Sequence, residues 1–171
     1  MMRNWTQESP FILESPIPAA HLPDAAALWG RHFAWPRRAL PAAWVCPTHG
    51  VVALDGAGQV IGVLGLRDAD GGFLRHASSL ACVLYRGAPA TSALVIDGIA
   101  TALPRQGIGR ALIFAALDEA RRQGRPGLQA EVALGNQTAR AFYRSLGFAE
   151  QGRGRYAWPW SGPVLLLHLG V

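Results

Sequence analysis

Three side chains in this sequence are suited to moving protons, Tyr143, Glu131 and Asp97, and one turn is suited to holding an anion, Gln106-Gly107-Ile108-Gly109. The turn closes an apolar run from Ala93 to Ala100 and opens an amphipathic stretch that reaches Gln123. A strand that enters a helix through glycines presents unpaired backbone N–H groups at the positive end of a helix dipole. Such a terminus is a ready site for a phosphate or diphosphate. Gly107 and Gly109 permit positive φ and let a ligand approach with no Cβ in the way. Ile108 between them is an inward packing anchor, while Arg105 and Arg110 add cationic charge. Taken alone the turn is a weak signal, because paired glycines also serve tight helix–strand packing.

A second signal follows at Asn136-Gln137-Thr138-Ala139-Arg140-Ala141-Phe142-Tyr143 and ends at Leu146-Gly147-Phe148. It puts an Asn and a Tyr at opposite ends of one short helix. Asn136 is also a natural N-cap, and the two roles are compatible. Glu131 is the carboxylate of the short strand Leu128 to Val132. Asp97 is the one charge in the Ala93 to Ala100 strand, so it must face a cleft, a partner or a helix terminus. Bland readings stand beside these: Glu131 as a solvated edge residue, Asp97 as a structural hydrogen-bond acceptor.

The elements that must carry these residues are legible in outline. Phe11-Ile12-Leu13 reads as a short first strand, and Asp24 as the N-cap of a helix bearing Leu28, Trp29, His32 and Phe33. Val51 to Leu54, a turn at Asp55-Gly56-Ala57-Gly58, and Val60 to Leu64 form a hairpin. Ser78 to Tyr85 reads as an edge helix. The helix from Gly109 gathers Leu112, Ile113, Ala116, Leu117 and Ala120 on one face and ends before Gly124. Val164 to Leu169 is the last strand. This order belongs to an α/β or α+β protein.

A dinucleotide-binding fingerprint competes for the turn, but Leu112 stands where its third glycine is required. Two motifs in this order and at this separation instead resemble the GNAT superfamily of acetyl-CoA-dependent N-acetyltransferases. The pyrophosphate motif of that family, Q/R-x-x-G-x-G/A, matches Pro104-Arg105-Gln106-Gly107-Ile108-Gly109 except at its first position. There Pro104 replaces the usual Gln or Arg, and Arg105 is placed to supply the lost contact. The family's N-x-x-A-x-x-x-Y-x-x-x-G-F matches Asn136, Ala139, Tyr143, Gly147 and Phe148. Thr101 stands where a proline often follows the strand.

The resemblance implies one N-acetyltransferase domain over 1–171 with its cofactor-binding core at 93–148. It implies a mixed, mostly antiparallel sheet of six to seven strands, splayed at the cofactor cleft and flanked by about four helices. Main-chain groups of Ile99, Ala100 and Thr101 would meet the pantetheine arm of acetyl-CoA as a strand-like ligand. Arg105, Gln106, Gly107, Ile108, Gly109 and Arg110 would hold the diphosphate, Asn136 would contact the cofactor arm, and Tyr143 would contact the cofactor at its thioester. Direct transfer to an amine in a ternary complex leaves two proton tasks. Tyr143, protonated at neutral pH with an ordinary pKa of ~10, suits the capping of the departing sulfur. Glu131, with Asp97 as its rival, suits activation of the amine, directly or through water. The alternative is an acyl-CoA-binding regulatory module with little turnover.

Composition bounds the rest. The chain has 171 residues, is 50% hydrophobic and carries a net charge of +5 with Arg as its only cationic residue besides His. The arginines are scattered, which argues against a nucleic-acid patch. Two cysteines, Cys46 and Cys82, show no metal or redox spacing and read as small apolar residues of a reducing compartment. No metal site, signal peptide or membrane span is expected, so the default location is cytoplasmic; a homodimer is permitted. The acceptor amine is expected to be chosen by the first helix, by residues 69–92 as a flap, and by residues 153–163 with Trp158 and Trp160. His168 reads as a packing histidine.

Overall fold

A computed structural model describes residues 10–34, 37–75, 85–157 and 159–171. Eight strands form one sheet: β1 (Ile12–Glu14), β2 (Gly50–Leu54), β3 (Val60–Asp68), β4 (Gly71–Gly72), β5 (Leu94–Thr101), β6 (Gly127–Ala133), β7 (Ala149–Gly154) and β8 (Val164–Gly170). Their spatial order is β1-β2-β3-β5-β6-β8-β7, with β4 paired to β3. Every pairing is antiparallel except β5 with β6. Among the described residues there are three α-helices, α1 (Leu22–Phe33), α2 (Ile108–Arg122) and α3 (Gln137–Ser145). The helix expected at Ser78 to Tyr85 lies almost wholly outside the described residues. This is the mixed, mostly antiparallel single-sheet arrangement expected above, with eight strands rather than six to seven and, among the described residues, three helices rather than about four.

Strand alternation divides the apolar side chains between two faces. Leu64, Leu66, Leu94, Ile96, Leu128, Ala130 and Val132 pack with the inner face of α2, where Leu112, Ile113, Ala116, Leu117 and Ala120 are all buried. Val52, Leu54, Val63 and Ala100 point the other way and pack against Ala25, Ala26, Leu28 and Trp29 of α1. Small residues set the closeness of this second layer. A Cβ on Gly65 would lie 2.7 Å from the Trp29 ring, and one on Gly98 would lie 2.7 Å from Phe33.

Element ends follow local chemistry. α1 starts at Leu22 with His21 as its N-cap, so Asp24 is a first-turn acid at the positive end of the dipole rather than the cap. Pro23 is the reason, because its fixed φ already suits the first helical turn. α2 ends as expected, with Gly124 at φ +66°. β4 and β7 carry several glycines or charges and no apolar alternation, which hid them in the sequence. No helix among the described residues is long and apolar enough to cross a membrane.

Candidate functional site

β5 and β6 pair for only three residues, Leu94↔Leu128, Val95↔Gln129 and Ile96↔Ala130. Beyond that point β5 continues along β3 to Thr101, and β6 continues along β8 to Ala133. The two central strands therefore part. Asp97 sits where they separate, as the extra residue of a bulge: Gly98 pairs with Gly65 and Ile96 with Leu66. Ile99, Ala100 and Thr101 lie along the parted edge of β5. Unpaired strand backbone of this kind is what an extended ligand needs.

The parted edge leads directly into the glycine turn. Arg105 has φ +61° and Gly107, the N-cap of α2, has φ +76°. No side chain caps this helix. Its first-turn N–H groups are thus offered outward, and left-handed residues in the preceding turn make the concavity in which an anion fits. Arg105, Gln106, Gly107 and Arg110 are exposed, while Ile108 is buried in the core and anchors the turn. A Cβ on Gly109 would meet the Phe142 ring of α3 at 3.4 Å, so α3 packs against the same helix end. Arg110 rests on the Phe114 ring, 5.1 Å from its centroid. Pro104 is exposed beside the turn.

The two candidate bases share one cation. Arg67, at the end of β3, donates from Nη2 to Glu131 Oε1 and places its Nε 3.4 Å from Asp97 Oδ1. Alternation explains the meeting: Leu66, Ala130 and Val132 face α2, so Arg67 and Glu131 face the other side of the sheet. Burial pushes the Glu131 carboxyl above its ordinary range, and Arg67 only partly offsets this. Asp97 is raised as well, first by burial and then by the neighbouring Glu131 charge, against the opposing pull of Arg67 and the Phe73 backbone N–H. The Tyr85 hydroxyl accepts a hydrogen bond from Arg67, and burial with the Glu131 charge raises its pKa. The sequence reading missed Arg67. Its signal was a cation ending an apolar strand next to Leu66, which requires an acid partner.

A cleft of about 280 Å³ opens on this group. Arg67, Val95, Gln129 and Glu131 form its sheet wall, and residues 87–91 form its rim. Gln129 was also missed. It is 6% exposed, and its buried amide nitrogen has no hydrogen-bond partner among the described residues. The rim is tied to the β7–β8 connection by paired backbone hydrogen bonds between Arg86 and Ala157. Trp158 lies outside the described residues, and Trp160 is exposed.

Asn136 and Tyr143 belong to α3, which packs on the α2 face. Asn136 caps α3, its Oδ1 accepting from Ala139 N at 3.0 Å, and its side chain is exposed. Tyr143 is 8% exposed and stacks edge-on with Phe142 and Phe148, at 5.3 and 5.0 Å between centroids. Burial raises its phenol pKa well above the usual value. Tyr143 and the two carboxylates are thus carried on opposite faces of the sheet. His168 pairs with Gln129 across β8 and is half-buried, in keeping with a packing role. Among the described residues no group of His, Cys, Asp and Glu is arranged to hold a metal ion.

Solved structures share this architecture. The chain aligns with Ard1 from Thermoplasma volcanium at a TM-score of 0.65 and 16% identity, covering 95% of this chain and 98% of that one. It aligns with yncA, a putative acetyltransferase from Salmonella typhimurium solved with its cofactor acetyl-CoA, at 0.63 and 17%, covering 94% of each chain. A putative streptothricin acetyltransferase from Bacillus anthracis, in complex with acetyl coenzyme A, matches at 0.50 and 19% over 71% of this chain; the match spans only 61% of that protein. At such identities the likeness is one of fold. No curated protein matches the chain in sequence. The family model for the acetyltransferase (GNAT) family matches residues 4–148, and the chain belongs to that family.

Proposed function

We propose that this protein transfers an acetyl group from acetyl-CoA to a primary amine by direct attack in a ternary complex. The observation that carries the reading is the parting of β5 from β6 beside a helix that starts with no side-chain cap. The first-turn amides of α2, with Arg105, Gln106 and Arg110, fit a diphosphate. The backbone of Ile99, Ala100 and Thr101 fits the amide-bearing pantetheine arm, with Asn136 near its far side. A thioester lying in the parting has Glu131 and Asp97 on one face and Tyr143 on the other.

In that pose the acceptor amine enters from the 280 Å³ cleft and gives a proton to Glu131 or Asp97, directly or through water. Its nitrogen attacks the thioester carbonyl carbon. The adduct nitrogen, whose amine entered as ammonium, passes its surplus proton to water; the adduct collapses with cleavage of the C–S bond, and the sulfur takes a proton from the Tyr143 hydroxyl. Burial of both carboxyls raises their proton affinity towards that of a base working near neutral pH. The orphan amide of Gln129 supplies a donor to an oxygen on the acceptor. CoA release measured with a panel of primary amines, alongside calorimetry of acetyl-CoA binding, tests the reading. Absence of any heat on adding acetyl-CoA to the folded protein overturns it.

One observation favours a second reading, an acyl-CoA-binding module with little turnover. Tyr143 is largely buried and Glu131 is held by Arg67. Tight acetyl-CoA binding with no turnover on any amine selects that reading over the first.

A further inference from the structure

Away from the parted strands, a second set of reactive side chains converges beside β4. Cys46 precedes a short 3-10 turn, Pro47–His49, so its sulfur and the His49 ring face one another across that turn. Cys46 Sγ is 3.4 Å from His49 Nδ1. The far nitrogen, Nε2, lies 3.3 Å from Oδ1 of Asp68 at the end of β3. Asp68 is held in turn by Arg125, whose Nη2 donates to Oδ2 at 2.7 Å, and by the Asp70 backbone N–H at 2.9 Å from Oδ1. Thr48 Oγ1 is 3.2 Å from the sulfur, and Arg75 Nη2 is 4.0 Å from it. A thiol, an imidazole and an orienting carboxylate stand in line, the first two from one turn and the third from the end of β3. That is the arrangement by which a nucleophile is activated.

Electrostatics act in the same direction. Burial resists a negative sulfur, but hydrogen bonds from Thr48 and His49 and the imidazole charge outweigh it, lowering the thiol from 9.0 to about 7. His49 is raised, since its bonds to Cys46 and Asp68 outweigh the cost of burial. Asp68 is lowered despite burial by the Asp70 N–H, His49 and Arg125. Asp97 is the remaining charge that senses His49. The expectation of a small apolar cysteine therefore does not describe Cys46, which is half-buried in polar company.

The surroundings decide which electrophile suits this thiol. The backbone N–H of Cys46 already donates to Phe73 O at 2.7 Å, so it is not available to stabilise an acyl oxyanion. A cleft of about 260 Å³ borders the far side of His49 and Asp68 without including Cys46 in its wall. Only a small reagent that needs no oxyanion pocket is well served. We propose that Cys46 is a peroxide-reactive thiol, with His49 as its proton partner and Asp68 as the orienting carboxylate. The thiolate attacks the terminal oxygen of a hydroperoxide and forms an S–O bond as the O–O bond breaks. The departing oxygen takes the proton of His49 and leaves as water or an alcohol. Sulfur is oxidised by two electrons to a sulfenic acid, and the peroxide is reduced by the same two.

The test uses the full chain carrying Cys82→Ser, so that Cys46 is the only thiol. Its rate of alkylation by iodoacetamide is measured against pH, and sulfenic acid formed by hydrogen peroxide is trapped with dimedone and read by mass spectrometry. The proposal expects a half-maximal rate near pH 7 and a dimedone adduct on Cys46. It also expects His49→Asn, and separately Asp68→Asn, to raise that midpoint by about one pH unit or more. A midpoint near the ordinary thiol value of about 8.5 in the parent chain overturns it, whether or not the variants fold. Absence of the adduct under excess peroxide overturns it as well. Acetyl transfer is not part of either readout.

Discussion

Arg67 governs how the two acids of the site titrate. It is the common partner of Glu131 and Asp97, and its charge opposes the rise that burial imposes on both. A base must be ionised to accept a proton, so kcat/KM for an amine rises with pH through the pKa of the working carboxylate. That limb is expected above the ordinary Glu value of about 4.3. Arg67→Met removes the opposing charge, so the limb moves to still higher pH; a pH profile of CoA release checks this. The same change leaves two buried carboxylates without their cation and is expected to lower stability by about 1–3 kcal/mol, read by urea unfolding. At Tyr143 the expectation concerns rate alone. Tyr143→Phe keeps the ring stacking with Phe142 and Phe148, removes the proton donor, and is expected to lower kcat by roughly 10²-fold with acetyl-CoA affinity unchanged.

At the scale of elements, the site depends on a strand that loses its partner and a helix that starts without a cap. Gly107 makes the second condition possible, because it takes φ +76° with nothing within 4 Å of where a Cβ would be. Space is therefore not what excludes a side chain there; backbone conformation is. Gly107→Ala is expected to cost about 1–2 kcal/mol, the price of a left-handed non-glycine residue. In a chain of this size that lowers Tm by about 2–4 °C per kcal/mol, as calorimetry would register. The Asp97 bulge belongs to the same scale. It turns a carboxylate towards Arg67 just where β5 and β6 stop pairing, so the acid and the opening arise from one irregularity.

For the molecule as a whole, the net charge is +5, and in the proposed pose the exposed Arg105 and Arg110 would face the diphosphate of acetyl-CoA. Lowering salt lengthens the reach of these charges, from about 8 Å at 0.15 M to about 30 Å at 0.01 M. The association rate for acetyl-CoA is expected to rise several-fold on going from about 0.15 M to about 0.01 M salt while dissociation changes little, as stopped-flow fluorescence would show. In the proposed reading, the acceptor side is assembled from distant parts of the chain. Residues 87–91 rim the cleft and are bonded through Arg86 to Ala157. Deleting 87–90, which are exposed or half-buried and include no core residue, is therefore expected to raise KM for the amine while leaving acetyl-CoA binding intact; unchanged acceptor kinetics would remove this rim from the account.

The sequence by itself determined whatever is local. The Gly107 turn, the buried stripe of α2, the Gly124 terminus and the Asn136 cap each depend on neighbours a few residues away, and all were readable from spacing. It also determined the family, because two motifs at a set separation specify the strand–turn–helix core they sit on. Tertiary structure alone decided which groups meet across the sheet. Arg67 and Glu131 are separated by 64 residues along the chain, and no periodicity reports a contact at that range. Strand order brought them together, alternation turned them to the face opposite Tyr143, and burial then raised the two acids. Register likewise carried Asp68 to His49 and made a polar site of a cysteine that sequence spacing had described as a small apolar residue.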